Sequence, residues 1–313
     1  MAEPSGRRPR GGGSSADVLG FSESAFVLLR DLIAQRTGVY FAHDKRDLLA
    51  DKLADLLAAR GMTSYLDYYY LLRYDDGAAT HWGELVDRLA VPETFFWRQH
   101  DQIVATATVL AARHRALRPG TPFRIWSAAC CSGEEPLSIA IALAEAGVLD
   151  RQPVEIVGSD ASEAMLARAR RGLYGERSFR ALPPALRDRY FRRESVGWRI
   201  DPAIHALVRW TRVNLMEAHA VAPMASSDVV FCRNVLIYFS DDTVAHVARL
   251  LAAGMPDHAH LCLGASESLT RVSSAFELVE VGGAFMYTKS GTRNGARAHE
   301  AGSRAVGYPS ESR

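Results

Sequence analysis

Glu134 and Glu135 stand side by side in the stretch WSAACCSGEEP, residues 126–136, and a further acid, Asp160, closes VEIVGSD some way on. Phe123 to Ala128 is an apolar run of strand length, Pro136 is placed as the first residue of a helix filled by Leu137, Ile139, Ile141 and Leu143, and Gly147 ends it. The segment reads as strand, tight turn, helix, strand. Small residues in the turn (Ala128, Ala129, Ser132, Gly133) let a ligand approach the backbone, and an acid at the end of the second strand accepts hydrogen bonds from a ribose.

The turn is not GxGxxG, and its two carboxylates occupy the helix start where a dinucleotide would place its pyrophosphate. This favours a ligand with a ribose, no phosphate and a positive charge. S-adenosylmethionine meets these terms: a ribose for Asp160, an α-ammonium for a glutamate, and a sulfonium. The plain alternative is an ordinary acidic first turn, and Asp160 alone suits a nicotinamide dinucleotide equally.

The elements that must position these acids follow from the rest of the chain. At 313 residues it suits two domains. Residues 21–90 read as four short helices: Ser22 or Ser24 caps the first, which carries Phe26, Leu29 and Ile33 and stops at Gly38. The second carries Leu48, Leu49, Leu53, Leu56 and Leu57, the third Tyr65, Leu66, Tyr69 and Leu72, the fourth Trp82, Leu85, Val86 and Leu89; these stripes are the expected core. Residues 91–122 are an interdomain segment. From Phe123 the pattern becomes alternating strand and helix, the mark of a doubly wound α/β sheet. Strands are expected at Leu207–Val213, Asp228–Cys232 and His260–Ala265, a helix at Asp241–Gly254, and an edge hairpin about Gly282 and Gly283. Residues 172–206 break the alternation and read as an inserted subdomain.

Composition excludes several function classes. Lys plus Arg total 37 against 36 Asp plus Glu, so no basic field for nucleic acid exists. Cys130, Cys131, Cys232 and Cys262 show neither CxxC spacing nor paired histidines, so no metal site or disulfide framework is indicated, and a reduced, cytoplasmic protein is expected. No apolar run reaches membrane-spanning length, and MAEPSGRRPRGGGSSAD lacks the apolar core of a signal peptide. Residues 1–20 and 290–313 are expected to be disordered.

Further motifs complete the pattern: VPETFFWR, Val91–Arg98, at the junction of the domains; VNL at 213–215; and FCRNVLIYF, Phe231–Phe239, where the fourth strand ends. Together with SGEEP and the SD of residues 159–160 they resemble, in order from about residue 21 to 289, the CheR-type chemotaxis receptor glutamate O-methyltransferases. The resemblance implies a small all-helical N-terminal domain, 21–90, and a Rossmann-like S-adenosylmethionine-dependent methyltransferase domain, 123–289, with an inserted antiparallel β subdomain. It implies that Thr94 and Arg98 reach the methionine end of the cofactor, that Glu135 takes its ammonium and Asp160 its ribose, and that Asn214, Leu215, Arg233 and Asn234 line the adenine and near side. Arg98 and Tyr238 are then the catalytic residues, closest to the moving methyl, and S-adenosylhomocysteine is the product. A monomer acting on the cytoplasmic methylation helices of chemoreceptors is implied, with no metal; a different protein acceptor, or an adaptor without turnover, are the other readings. One departure is Pro92, where the family often has Asn; it offers no side-chain hydrogen bond and no N–H. The link between Phe191 and Trp198 is only RRESVG, shorter than in relatives that grip a receptor C-terminal peptide through this subdomain, so no tight C-terminal pentapeptide tether is expected.

Overall fold

The computed structural model describes residues 20–114, 118 and 120–290. The segments expected to be disordered lie outside the described residues, apart from Gly20 and Ser290 at their edges. Helix α1, Glu23–Thr37, starts where the Ser22 hydroxyl accepts the Ala25 N–H at 3.2 Å and ends at Gly38, whose φ of 81° only glycine adopts without strain. Helices α2, Arg46–Ala58, α3, Tyr65–Tyr74, and α4, Ala78–Leu89, complete a bundle whose core includes Phe26, Leu29, Leu53, Tyr65, Tyr68 and Leu85. Leu48 does not join it: the buried face of α2 runs Leu49, Ala50, Leu53, Leu57, and Leu48, about 100° round the helix, stays 48 % exposed.

The expected interdomain segment holds a helix the sequence reading did not foresee, α5, His100–His114. It buries Ile103, Ala105, Thr106, Val109 and Leu110 against the layers of the α/β unit, so the segment belongs to that core. Its buried face mixes Ile103, Val109 and Leu110 with Ala105 and Thr106 while Val104 stays exposed, so no clean stripe stood out.

The second unit runs β1, Phe123–Ala128; α6, Glu134–Glu145; β2, Val154–Asp160; α7, Glu163–Arg171; β3, Leu173–Tyr174; α8, Pro184–Tyr190; β4, Phe191–Glu194; β5, Gly197–Ile200; α9, Pro202–Ala206; β6, Val208–Arg212; α10, Ala218–Ala225; β7, Val229–Cys232; α11, Asp241–Gly254; β8, His260–Cys262; β9, Phe276–Val281; and β10, Ala284–Lys289. Helix α6 begins at Glu134, not at Pro136, because Gly133 at φ 93° serves as its N-cap and a proline in the first turn costs no hydrogen bond. Strand β8 is shorter than expected, ending at Cys262.

The seven-stranded sheet has the order β6-β2-β1-β7-β8-β10-β9, parallel except for antiparallel β10. The chain winds from β1 through β2 to β6 and returns on the other side of β1 as β7. The order therefore reverses at β1, and its register brings Ala128 beside both Ser159 and Cys232, at the carboxyl ends where open α/β sheets bind ligands. The excursion between α7 and β6 carries a separate antiparallel sheet, β3-β5-β4. Its Tyr174, Phe179 and Phe191 pack round Phe96, with ring centroids 4.8, 5.4 and 4.8 Å from it, which fastens the Val91–Arg98 motif to the sheet.

Candidate functional site

Two neighbouring cavities, of about 360 and about 70 Å³, open at this switch point and share Val91, Ala129, Cys131, Asn234, Ile237 and Tyr238. All nine residues proposed from sequence line one or both. Asp160, Asn214 and Leu215 line the larger; Thr94, Arg98, Glu135 and Arg233 the smaller; Asn234 and Tyr238 both. Pro92 lines neither. It is exposed beside a tight turn in which the Glu93 N–H donates to the Val91 carbonyl at 2.8 Å, so it stiffens the segment instead of replacing the polar contact of an Asn.

The adjacent glutamates part company. Glu134 is 3 % exposed and turned inward, accepting from the hydroxyls of Ser132 at 2.8 Å and Ser178 at 3.0 Å, so it braces the turn against the inserted subdomain. Glu135 faces the smaller cavity, accepts from the Ser127 hydroxyl at 2.7 Å, and lies 3.5 Å from Arg233 Nη1. Burial raises the Glu135 carboxyl above its ordinary pKa, with Arg233, Ser127 and Arg98 opposing the rise. Arg233 has a side chain only 1 % exposed; its Nη2 donates to the Arg98 carbonyl at 2.6 Å and to Gln99 Oε1 at 2.9 Å, while Nε and Nη1 have no hydrogen-bond partner. A buried guanidinium with free donors beside a buried carboxylate matches the two charges of an α-amino acid. The methionine end of S-adenosylmethionine therefore fits the residues present.

In the larger cavity Asp160 accepts the backbone N–H groups of Cys131 and Ser162, each at 2.9 Å. Its carboxyl is also raised by burial, opposed by those same N–H groups. Two amides fix the plane of the carboxylate and leave its remaining lone pairs for hydroxyls. Asn214 donates from Nδ2 to the Arg36 carbonyl at 2.8 Å, so the end of α1 helps to orient it.

Arg98 donates from Nη1 to the Glu93 carbonyl at 2.7 Å, leaving the rest of its fork for a ligand. Burial raises the Tyr238 phenol above its ordinary value, with Arg98 opposing, so at neutral pH the hydroxyl is a hydrogen-bond donor. Among the described residues, the non-glycine residues with positive φ are Trp97 (69°), Gln99 (49°), Ala129 (51°), Cys131 (53°) and Asn234 (59°), and every one stands in a segment that walls these cavities. Such geometry costs about 1–3 kcal/mol per residue and persists where function requires it.

Sequence reasoning missed the supporting shell. Gln99, Ser178 and Asp87, which accepts the Ser162 hydroxyl at 2.6 Å and so couples α4 to α7, carry no motif, and Ser127, though inside WSAACCSGEEP, is not singled out by it. Among the described residues no helix is long and apolar enough to cross a membrane, and no group of three or more His, Cys, Asp or Glu is arranged to hold a metal.

The chain is similar to known proteins over most of its length. The family description "CheR methyltransferase, all-alpha domain" matches residues 24–90, and "CheR methyltransferase, SAM binding domain" matches residues 93–284. Similar curated proteins include chemotaxis protein methyltransferase 2 of Vibrio cholerae serotype O1, 31 % identical over 82 % of this chain and 90 % of its own length. Chemotaxis protein methyltransferase 1 of Pseudomonas aeruginosa is 31 % identical over 84 % of this chain and 96 % of its own. The chemotaxis protein methyltransferase of Escherichia coli is 30 % identical over 83 % and 90 %.

Proposed function

The chain belongs to the CheR methyltransferase family, and from that premise we propose that it methylates glutamate side chains on the cytoplasmic helices of chemoreceptors, forming methyl esters. It is an S-adenosylmethionine-dependent methyltransferase of chemotaxis; the glutamate acceptor and the residue roles below are our reading. The observation that carries it is the meeting of Arg98 and Tyr238 on the small cavity that Glu135 and Arg233 also line.

Bound S-adenosylmethionine supplies a methyl group on a sulfonium, which a carboxylate attacks without help from a base. A glutamate γ-carboxylate, with an ordinary pKa of about 4.3, is already ionised at neutral pH. The chain's task is therefore to orient and to exclude water, and proximity and orientation are worth roughly 7–11 kcal/mol. Glu135 and Arg233 hold the ammonium and carboxylate of the cofactor's amino-acid end, with Thr94 beside them. Asp160 accepts its ribose hydroxyls, and Asn214, Leu215 and Asn234 wall the base and near side. The Arg98 fork and the neutral Tyr238 hydroxyl grip the acceptor carboxylate, one oxygen each, and neither removes a proton.

Two measurements test this. Label from tritiated S-adenosylmethionine should appear on chemoreceptors in membranes from the protein's own source and be released as methanol by mild base, as an ester requires; base-stable label would sink the glutamate assignment. Arg98→Ala and Tyr238→Phe should each lower kcat about ten- to a hundredfold, the loss of one charged hydrogen bond, with S-adenosylhomocysteine affinity changed far less. Wild-type turnover in Tyr238→Phe would remove its hydroxyl from the mechanism.

A further inference from the structure

Glu267, in the loop after β8, has both carboxylate oxygens engaged by the backbone of the catalytic loop. Oε2 accepts the N–H of Asn234 and of Gly264, each at 2.7 Å, and Oε1 accepts the N–H of Leu236 at 2.7 Å and of Ile237 at 3.3 Å. These amides converge because Asn234 is held at φ 59° and the chain then turns through Val235 into a short 3₁₀ turn, Leu236–Tyr238. Without an acceptor inside this turn, the amides would point at one another's positive ends. Gly264 has no side chain for the same reason: a Cβ there would lie 2.8 Å from Glu267 Oε2 and 2.5 Å from Asn234 Nδ2.

We propose that Glu267 is the positioning residue of this methyl transfer: its carboxylate binds the Asn234–Ile237 amides as an internal anion and so fixes both the cofactor-lining Asn234 and the hydroxyl of Tyr238. On the far side of Tyr238, its carbonyl accepts the Tyr40 N–H at 2.9 Å. The tyrosine therefore hangs between a fixed strand pairing and a carboxylate anchor. A charge-assisted acceptor is roughly twice as strong as a neutral one, and one carboxylate serves several donors where an amide cannot. The role given to Tyr238 rests on the proposed glutamate methyl transfer; the anchoring of Asn234 does not.

Glu267→Gln is the discriminating variant because it keeps shape and volume. In either orientation its NH₂ faces two backbone N–H donors, so the loop must open. Affinity for S-adenosylhomocysteine is measured by calorimetry, and kcat and KM are measured for wild type, Tyr238→Phe, Glu267→Gln and the double variant. Glu267→Gln should weaken product affinity about tenfold and lower kcat about ten- to a hundredfold, and the kcat loss should largely vanish in the Tyr238→Phe background, as expected for residues acting as a unit. Gly264→Ala, which displaces the carboxylate by another route, should reproduce both effects. Wild-type product affinity in a folded Glu267→Gln, or kcat losses that multiply independently with Tyr238→Phe, would overturn the proposal. If Glu267→Gln does not fold, Gly264→Ala is read by the same criteria. Failure of the wild-type protein to label any receptor would defeat the functional reading, while the calorimetric result would still decide whether Glu267 anchors the loop.

Discussion

Burial raises the carboxyls of Glu134, Glu135 and Asp160 above their ordinary values, and this fixes how the site answers to acid. A raised carboxyl binds its proton in the folded chain before the unfolded one. Each such group therefore contributes stability that is fully present below its ordinary pKa and lost as pH rises through the folded value. In the proposed roles ligand binding runs the opposite way, since Glu135 and Asp160 would accept from an ammonium and from hydroxyls as anions. Affinity for S-adenosylhomocysteine should thus decline on acidification from neutral pH, beginning above the ordinary carboxylate range of about 3.9–4.3, with no matching loss of folded-state stability from these groups. Calorimetry and thermal melting as a function of pH, with Asp160→Asn for reference, check this; affinity that is flat or rising on acidification contradicts it. At this scale the sequence was legible wherever residue type alone decided: an acid closing β2, an arginine after three aromatics, a tyrosine in RNVLIYF. Residue type alone could not tell Glu134 from Glu135, and the choice of Glu135 came from the resemblance, because only the 100° step of a helix sends one inward to Ser132 and Ser178 and the other to the cavity. Glu267, remote in sequence from the Asn234, Leu236 and Ile237 amides it holds, gave no local signal.

Periodicity served the elements well where a stripe was wide and apolar, as in α1 and α11, and failed in α5, whose buried face mixes Ile103, Val109 and Leu110 with Ala105 and Thr106. Between elements, the pairing that matters most joins the end of α1 to the Asn234–Phe239 loop: Val39 bridges Phe239, and the Phe239 ring packs on Gly38, where an added Cβ would lie 2.8 Å from the ring. Gly38→Ala combines this clash with a φ of 81°, whereas Gly61→Ala has a φ of 63° and open space around it. Backbone strain alone costs about 1–2 kcal/mol. Gly61→Ala should lose only that, while Gly38→Ala should lose more and also weaken S-adenosylhomocysteine binding, because moving Phe239 moves Tyr238. Equal melting shifts for the two variants, with product affinity intact in both, would show that the contact does not couple the helical unit to the site. Such a pairing was invisible in sequence, since residues 38–40 and 238–239 are isolated from any strand pattern.

Helix α2 and its ends offer a receptor few free basic side chains. On α2 and its flanks Lys45 pairs with Asp44, Arg46 with Asp47 and Arg60 with Glu84, and the Lys52 ammonium donates to the Arg88 carbonyl. Exposed pairs of this kind present little net field, so long-range steering toward an acidic receptor face should be weak. The inserted sheet is similarly self-satisfied. Strands β4 and β5 are joined through Ser195 and Val196 alone, and Trp198 is covered by the Arg187 guanidinium at 4.4 Å while its Nε1 donates to Glu176, the partner of Arg193. A peptide adding to this hairpin would find no extended loop to enclose it, leaving the short four-residue β4 edge to pair with. Micromolar binding corresponds to about 8 kcal/mol, much for so short an edge to supply. We therefore expect recognition to rest on the methylation helices themselves, near Arg98 and Tyr238, and not on a receptor tail. Fluorescence anisotropy with a labelled receptor C-terminal peptide should show no micromolar binding, and a receptor truncated of that tail should be methylated as fast as the intact one. Micromolar peptide binding, or methylation lost on truncation, would place a second docking site on the inserted sheet.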